Sequence, residues 1–161
     1  GLALDLGCGD GTESVALLEA GWDVHAFDAE DEAIARLTAR VPDELHPRLH
    51  ATVVALEDAT FPSADFAYAG VSLPFVAPDK LPAVWTRLGD ALRPGALLAC
   101  HLFGERDGWA TNPGMTFLTR TAVERLLDDF DVIELTEEEA VRPSASEAAK
   151  HWHIFEILAT R

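Results

Sequence analysis

The chain has 161 residues, which is the size of one domain and is enough to bury a hydrophobic core. Hydrophobic residues make up 48% of it and charged residues 25%, a composition that excludes a disordered chain. The 28 acidic residues outnumber the 12 basic ones and leave a net charge of -16. Because nucleic acids are bound through a basic surface, this charge predicts that nucleic acid is not a partner.

Cellular location is predicted from what the sequence does not contain. No apolar run approaches the roughly 20 residues that a membrane span needs, and no signal peptide opens the chain. The two cysteines, Cys8 and Cys100, are too few for a disulfide framework or a zinc cluster. We therefore expect a cytoplasmic protein that does not bind membranes.

Strand-like and helix-like segments alternate along the chain. Short apolar or β-branched runs predict strands at 2–6, 22–27, 51–56, 65–71, 96–103, 131–136 and 151–159. Helical patterns predict a helix capped by Thr12 and ended by Gly21, and further helices at 31–40, 80–92 and 121–130. The Arg93-Pro94-Gly95 turn is expected to separate the third of these helices from the fifth strand.

This order predicts the fold class. Alternating strands and helices form parallel sheets with right-handed crossovers, whereas the last two strands have no helix between them and should form a hairpin. We expect one domain over 1–161 with an α/β, Rossmann-like, doubly wound sheet of about seven strands. The last strand should be antiparallel, and helices should cover both faces.

The turn after the first strand, Gly7-Cys8-Gly9-Asp10-Gly11, is typical of a loop that holds a ligand at a helix N-terminus. In dinucleotide enzymes the pattern is G-x-G-x-x-G, but here Thr12 occupies the third glycine position. A purely structural turn is the alternative. Asp28 ends the second strand, where an acid can accept hydrogen bonds from both hydroxyls of a ribose. Alternatively, Asp28 is a solvated loop acid like its neighbours and has no binding role.

Three stretches together carry a family resemblance, in chain order: 4–12 (LDLGCGDGT), 26–28 (AFD) and 92–96 (LRPGA). They resemble the motifs of class I S-adenosylmethionine-dependent methyltransferases, over nearly the whole chain. The resemblance implies that S-adenosylmethionine is the cofactor and that a methyl group is transferred to a small-molecule acceptor. Segments 101–115 and 150–153 are similar to those of small-molecule methyltransferases near the tellurite-resistance group.

The resemblance also implies roles for individual residues. The loop expected to wrap the amino-acid part of the cofactor is formed by Gly7, Cys8, Gly9 and Gly11. Asp5 would stand near the cofactor's ammonium group, and Asp28 would hold the ribose. Phe27 or Ala29 would flank the adenine. The positions expected after the third and fourth strands are Leu56, Glu57 and Asp58 at the adenine amino group, and Gly70, Val71 and Ser72 beneath the methyl donor. Which of the two neighbouring acids contacts adenine stays open.

Two features differ from the family pattern. The chain begins inside the first strand, so we expect that it is a domain of a longer protein whose preceding segment is missing. Ser72-Leu73-Pro74-Phe75 is similar to the Asp/Asn/Ser-Pro-Pro-aromatic signature of enzymes that methylate amides and nucleobase amines, with Leu73 in place of the first proline. This similarity is a second, weaker hypothesis for the acceptor.

The chemistry of methyl transfer requires no nucleophilic triad, and the sequence contains none. The catalytic residue is therefore unknown. His101 and His151 are candidates for a base or an orienting group, because both are expected at the edge of the sheet beside the Trp109 loop and the Phe75 turn. His151 and His153 share a strand face, but they lack a third ligand, so we predict no metal site.

Three hypotheses for the function follow. The first is a methyltransferase that acts on a small molecule. The second is a nicotinamide-dependent oxidoreductase, which Thr12 and the closing hairpin disfavour. The third is a non-catalytic cofactor-binding domain. The sequence does not indicate the oligomeric state.

Overall fold

The computed structural model describes residues 1–161, which form one eight-stranded sheet with four α-helices. The strands are β1 (Leu2–Leu6), β2 (Asp23–Asp28), β3 (Leu49–Val53), β4 (Ala64–Ala69), β5 (Leu92–Gly104), β6 (Phe117–Leu118), β7 (Asp131–Arg142) and β8 (Lys150–Thr160). The helices are α1 (Thr12–Glu19), α2 (Asp31–Arg40), α3 (Leu81–Ala91) and α4 (Arg120–Leu126). Short 3-10 turns lie at His46–Arg48 and Leu73–Phe75.

The strand order confirms the predicted fold class. The order is β3-β2-β1-β4-β5-β8-β7, and the short strand β6 pairs with β5 beside this path. All pairs from β3 to β5 are parallel, whereas β8 runs antiparallel to both β5 and β7. The final strand therefore inserts beside β5, and the carboxyl ends of β1, β2 and β4 meet at one edge.

Helices cover both faces of the sheet. The side chains of β1 alternate between these two faces and contact helices on each side. Leu4 and Leu6 belong to the larger core cluster, which α3 and α4 complete with residues such as Val84 and Val123. Asp5, between the two leucines, contacts Ser14 of α1 on the other face. A smaller core cluster packs α1 and α2 against β2 through Leu18, Leu37 and Val24. None of the four α-helices has the length and the hydrophobicity that a transmembrane span requires.

Local details differ from the predictions where tertiary pairing overrides the local pattern. Thr12 is not the helix cap: Gly11 holds that position with φ 81°, and the Thr12 hydroxyl donates to Asp10 instead. The Arg93-Pro94-Gly95 turn lies inside β5 as an irregularity of its pairing with β4.

The ends of three elements also differ from the predictions. Helix α4 ends at Leu126, earlier than predicted, and β3 ends at Val53. Strand β7 continues to Arg142 because β8 supplies hydrogen-bond partners along its whole length.

Gly11 offers a test of how closely α2 packs on the glycine loop. An added Cβ would lie 2.6 Å from Leu37 Cδ1 and 3.1 Å from Leu37 Cα, whereas at Gly21 it would meet nothing within 4 Å. Both glycines have positive φ, so alanine costs about 1–2 kcal/mol at either site. We expect Gly11→Ala to lose about 1–3 kcal/mol more than Gly21→Ala in urea unfolding, because α2 must move. Equal losses would contradict this packing.

Candidate functional site

The carboxyl ends of β1, β2, β3 and β4 surround a hollow of about 440 Å³, called the first hollow here. Its lining residues come from four loops: Gly7; Asp28, Ala29 and Glu30; Ala55, Leu56 and Glu57; and Val71, Ser72, Phe75 and Val76. Ligands of open parallel sheets bind at this edge, so the position agrees with the sequence-based expectation. The volume lies within the range of small-molecule pockets.

Asp28 connects the end of β2 to the glycine loop. Its Oδ2 accepts a hydrogen bond from the Gly9 amide at 2.9 Å, and its Oδ1 accepts one from the Glu30 amide at 3.0 Å. The amides of Gly7 and Cys8 both donate to the Phe27 carbonyl. Each carboxylate oxygen keeps acceptor capacity toward the first hollow. The side chain therefore fixes the loop and also faces the ligand space.

The glycine loop lies against the turn that follows β4. Gly7 has φ 80°, and an added Cβ there would lie 2.4 Å from Ser72 Cβ, so only glycine allows this approach. The Ser72 hydroxyl is buried in the lining of the first hollow and has no hydrogen-bond partner. Buried polar groups normally have partners, so this hydroxyl has hydrogen-bonding capacity that no other group of the protein uses. At Gly9, in contrast, an added Cβ would meet no atom within 4 Å.

Asp5 lies beneath the glycine loop rather than in the wall of the hollow. It is buried, and its Oδ2 accepts a hydrogen bond from the Ser14 hydroxyl at 2.6 Å. Burial raises the pKa of Asp5 to about 6, although the Ser14 bond acts in the opposite direction and the charge of Glu13 adds to the rise. At neutral pH the folded protein thus holds a carboxylate with a desolvation cost that a nearby cation would relieve.

The predicted binding residues divide into two groups. Those that line the first hollow are Gly7, Asp28, Ala29, Leu56, Glu57, Val71 and Ser72. Those that do not line it are Asp5, Cys8, Gly9, Gly11, Asp58 and Gly70. Of the two candidate acids after β3, Glu57 is the one that faces the hollow. Cys8 packs between α1 and α2, where burial raises the pKa of its thiol to about 12, and Gly70 packs against the Tyr68 hydroxyl.

Sequence reasoning missed three lining residues and one supporting residue. Glu30, Ala55 and Val76 each stand one or two positions from a predicted residue, and that proximity was the available signal. Arg87 of α3 had no local signal. Its Nη2 donates to the carbonyls of Leu56 and Glu57 at 2.9 and 2.7 Å, which fixes this wall of the hollow.

A second hollow of about 360 Å³ adjoins the first, and Phe75 lines both. Its lining residues are Phe75, Gly108, Trp109, Thr111, Asn112 and Met115, and none of them is ionisable. The centroids of the Phe75 and Trp109 rings are 6.4 Å apart. Thr116 closes the junction, because its amide donates to the Pro74 carbonyl and its hydroxyl to that of Val76. The expected convergence of the Trp109 loop and the Phe75 turn is thus confirmed.

The expectation that His101 and His151 share this opening is wrong. His101 pairs with Glu156 across β5 and β8, and its ring lies 3.8 Å from that carboxylate. His151 stands five residues before Glu156, so its side chain projects from the opposite face, where Nε2 contacts Glu139 at 3.0 Å. Neither histidine lines either hollow. No three His, Cys, Asp or Glu side chains converge to hold a metal.

Asp5 gives a prediction about pH. Because its folded pKa is raised above the ordinary value of 3.8, the ionised side chain costs stability as the pH rises through about 6, and the cost disappears near pH 4. We expect Asp5→Asn to raise the free energy of unfolding by about 2 kcal/mol at pH 7.5 and to have little effect at pH 4.

Urea unfolding at both pH values measures this difference, with Asp10→Asn as the control. The pKa of Asp10 is lowered by hydrogen bonds from Thr12, so its substitution should destabilise at pH 7.5 and lose that effect as the pH falls. A gain from Asp5→Asn that is the same at pH 4 and pH 7.5 would contradict a buried, ionising Asp5.

Comparisons with known proteins also indicate a methyltransferase domain. Residues 3–95 match the family described as Methyltransferase domain. The uncharacterised methyltransferase sll0829 of Synechocystis is 26% identical over 132 residues, which are 79% of this chain and 61% of that protein. The chain thus spans less than two thirds of this relative's length.

Solved structures share the fold. TehB from Haemophilus influenzae superposes with a TM-score of 0.85 at 17% identity, over 99% of this chain and 57% of that one. A SAM-dependent methyltransferase from Methanosarcina mazei gives a TM-score of 0.75 at 22% identity, over 99% and 92% of the two chains. Magnesium protoporphyrin IX methyltransferase from Synechocystis, solved with bound SAM, gives 0.70 at 16% identity, over 98% and 69%. With its motifs, strand order and ligand edge all in place, the chain belongs to the methyltransferase domain family, in the class I, S-adenosylmethionine-dependent group.

Proposed function

We propose that this chain transfers a methyl group from S-adenosylmethionine to a small-molecule acceptor. The observation that carries the proposal is the pair of adjoining hollows, which share the Phe75 ring at the carboxyl edge of the sheet. One hollow has the polar groups expected of a nucleoside site, and the other has an uncharged, largely apolar wall. Such an arrangement places two reactants side by side.

The residues of the first hollow fit S-adenosylmethionine. Asp28 would accept hydrogen bonds from both ribose hydroxyls, with Ala29 and Leu56 on the adenine and Glu57 near its amino group. The unpartnered Ser72 hydroxyl would bond the amino-acid part, whose ammonium group would relieve the desolvated charge of Asp5. When bound, this cofactor supplies a methyl group that is already strongly electrophilic.

The chain's own task is then positioning and the exclusion of water. Phe75, Trp109 and Met115 would hold the acceptor beside the methyl position and keep it dry. Neither histidine candidate reaches this space, so the acceptor would bring a nucleophile that loses its proton readily. The net charge of -16 supports a small molecule rather than nucleic acid. Both cysteines are free and buried, which fits a reducing cytoplasm.

Asp28→Ala tests the ribose contact. The substitution removes the acceptor of two hydroxyls and also the Gly9 bond, so we expect a 10- to 100-fold loss of affinity for S-adenosylhomocysteine in calorimetry. Asp28→Asn keeps one acceptor oxygen and should lose less. Asp43→Ala, which removes a fully exposed carboxylate, is the matched control and should bind like the parent. Unchanged binding by Asp28→Ala would refute the assignment.

A screen for methyl acceptors tests the proposed activity itself. The parent protein, given S-adenosylmethionine with a labelled methyl group, should methylate at least one member of a panel of small phenols, thiols and amines. Trp109→Ala should reduce that transfer at least tenfold without weakening S-adenosylhomocysteine binding, because this ring lines only the second hollow, whereas Phe75→Ala should reduce transfer and also weaken S-adenosylhomocysteine binding, because Phe75 lines both hollows. Transfer that survives both substitutions would place the acceptor elsewhere, and a protein that binds the cofactor but methylates nothing would support a non-catalytic domain.

A further inference from the structure

Lys150 is a buried ammonium group that the proposed chemistry does not use. It stands at the start of β8 with 1% of its surface exposed, and its side chain is wholly enclosed. Three aromatic rings surround the ammonium nitrogen: Trp152 at 3.7 Å, Trp109 at 4.2 Å and Phe103 at 5.0 Å from the ring centroids. The chain has one other lysine, Lys80, which is largely exposed. Lysine is almost never fully buried unless it is paired.

The partner of Lys150 is Asp107, in the loop that follows β5. Its Oδ1 accepts hydrogen bonds from Lys150 Nζ at 2.6 Å and from the Trp109 amide at 3.0 Å. Its Oδ2 accepts one from the His153 amide at 3.1 Å. The carboxylate is as completely buried as the ammonium group. One side chain therefore links two residues of β8 to the backbone of the residue that forms the aromatic wall.

Neighbouring bonds hold the same loop along β8. The Gly108 amide donates to the His151 carbonyl at 2.8 Å, and the Arg106 amide donates to His153 Nδ1 at 3.1 Å. An added Cβ on Gly108 would come within 3.1 Å of that carbonyl, so the backbones are in close contact. These bonds hold the backbone. The Trp109 ring itself has two polar contacts: Lys150 Nζ lies over its face, and its Nε1 donates a hydrogen bond to the exposed Glu147 carboxylate.

A buried ion pair such as Lys150–Asp107 does not by itself stabilise a fold. Burying two charges removes both from water, and well-packed apolar residues in their place are often at least as stable. Directional bonds at fixed distances do, however, set the orientation of the groups they join. Here the oriented group is Trp109, whose ring lines the second hollow beside the Phe75 ring, with 6.4 Å between the two centroids.

We propose that Lys150 is a positioning residue: with Asp107 it fixes Trp109 as one wall of the second hollow, which takes an uncharged aromatic acceptor. The proposal rests on the proposed function for the identity of this hollow. The class of acceptor follows from the lining, which offers Phe75 and Trp109 rings and no ionisable side chain. The nearest cation, Lys150, is neutralised by Asp107, so nothing there would pair with a charged acceptor.

The test compares Lys150→Met and the double variant Lys150→Met/Asp107→Asn with the parent and with Lys80→Met, the matched control on the exposed lysine. The double variant leaves no unpaired buried charge, so its folding is protected. Hydrogen exchange reports the loop directly. We expect the Gly108 and Trp109 amides to exchange at least about tenfold faster in both Lys150 variants, with no change at the Gly9 amide of the glycine loop.

The acceptor side is probed with 4-fluorophenol by fluorine NMR, in the presence of saturating S-adenosylhomocysteine. The parent and Lys80→Met should bind this probe more tightly than the charged analogue 4-fluorobenzoate. Both Lys150 variants should lose at least about fivefold in probe affinity and keep the parent's affinity for S-adenosylhomocysteine.

Parent-like loop exchange and probe affinity in the double variant would overturn the positioning role. An equal loss of affinity for the probe and for S-adenosylhomocysteine would show a merely structural role and would also overturn it. Failure of the parent to prefer 4-fluorophenol would overturn the acceptor class. The proposed function fails separately, if the parent does not bind S-adenosylhomocysteine, and the exchange experiment needs no ligand.

Discussion

The hydrogen bond from the Gly9 amide to the Asp28 carboxylate joins two parts of the chain that are 19 residues apart. It sets the height of the glycine loop over the end of β2, and the Gly7 and Cys8 amides reinforce it on the Phe27 carbonyl. Because the loop is held there, Gly7 can touch Ser72, and the turn after β4 then reaches the first hollow. These contacts together hold the glycine loop and the turn after β4 as two walls of the hollow.

The two hollows differ in the chemical character of their linings. The first has oxygen acceptors and a free hydroxyl and is closed by the Arg87-bound wall. The second has aromatic rings and no charge, and a buried ion pair lies behind its Trp109 wall. Phe75 belongs to both, so its ring would contact the methyl donor on one side and the acceptor on the other. A methyltransferase needs little more than this, because the sulfonium already activates the methyl group.

Sequence predicted the features that depend on local pattern. The alternation of strands and helices, the closing hairpin and the strand-end position of Asp28 all follow from short-range signals. Features that depend on strand pairing across the sheet could not be predicted from the sequence. The opposite directions of His101 and His151 come from the register of β5 on β8, which no sequence pattern specified. Likewise, Arg87 and Lys150 act through partners about 30 and 43 residues away, and β6 has only two residues.

Whether the first hollow is an S-adenosylmethionine site can be decided by a calorimetric comparison of three ligands. S-adenosylmethionine, S-adenosylhomocysteine and NADH are titrated into the parent protein under one buffer condition. We expect saturable one-to-one binding of both sulfur nucleosides and no binding of NADH, because Asp28 and the Gly7–Ser72 contact define one ribose and one amino-acid position. Binding of NADH with neither sulfur nucleoside bound would contradict it.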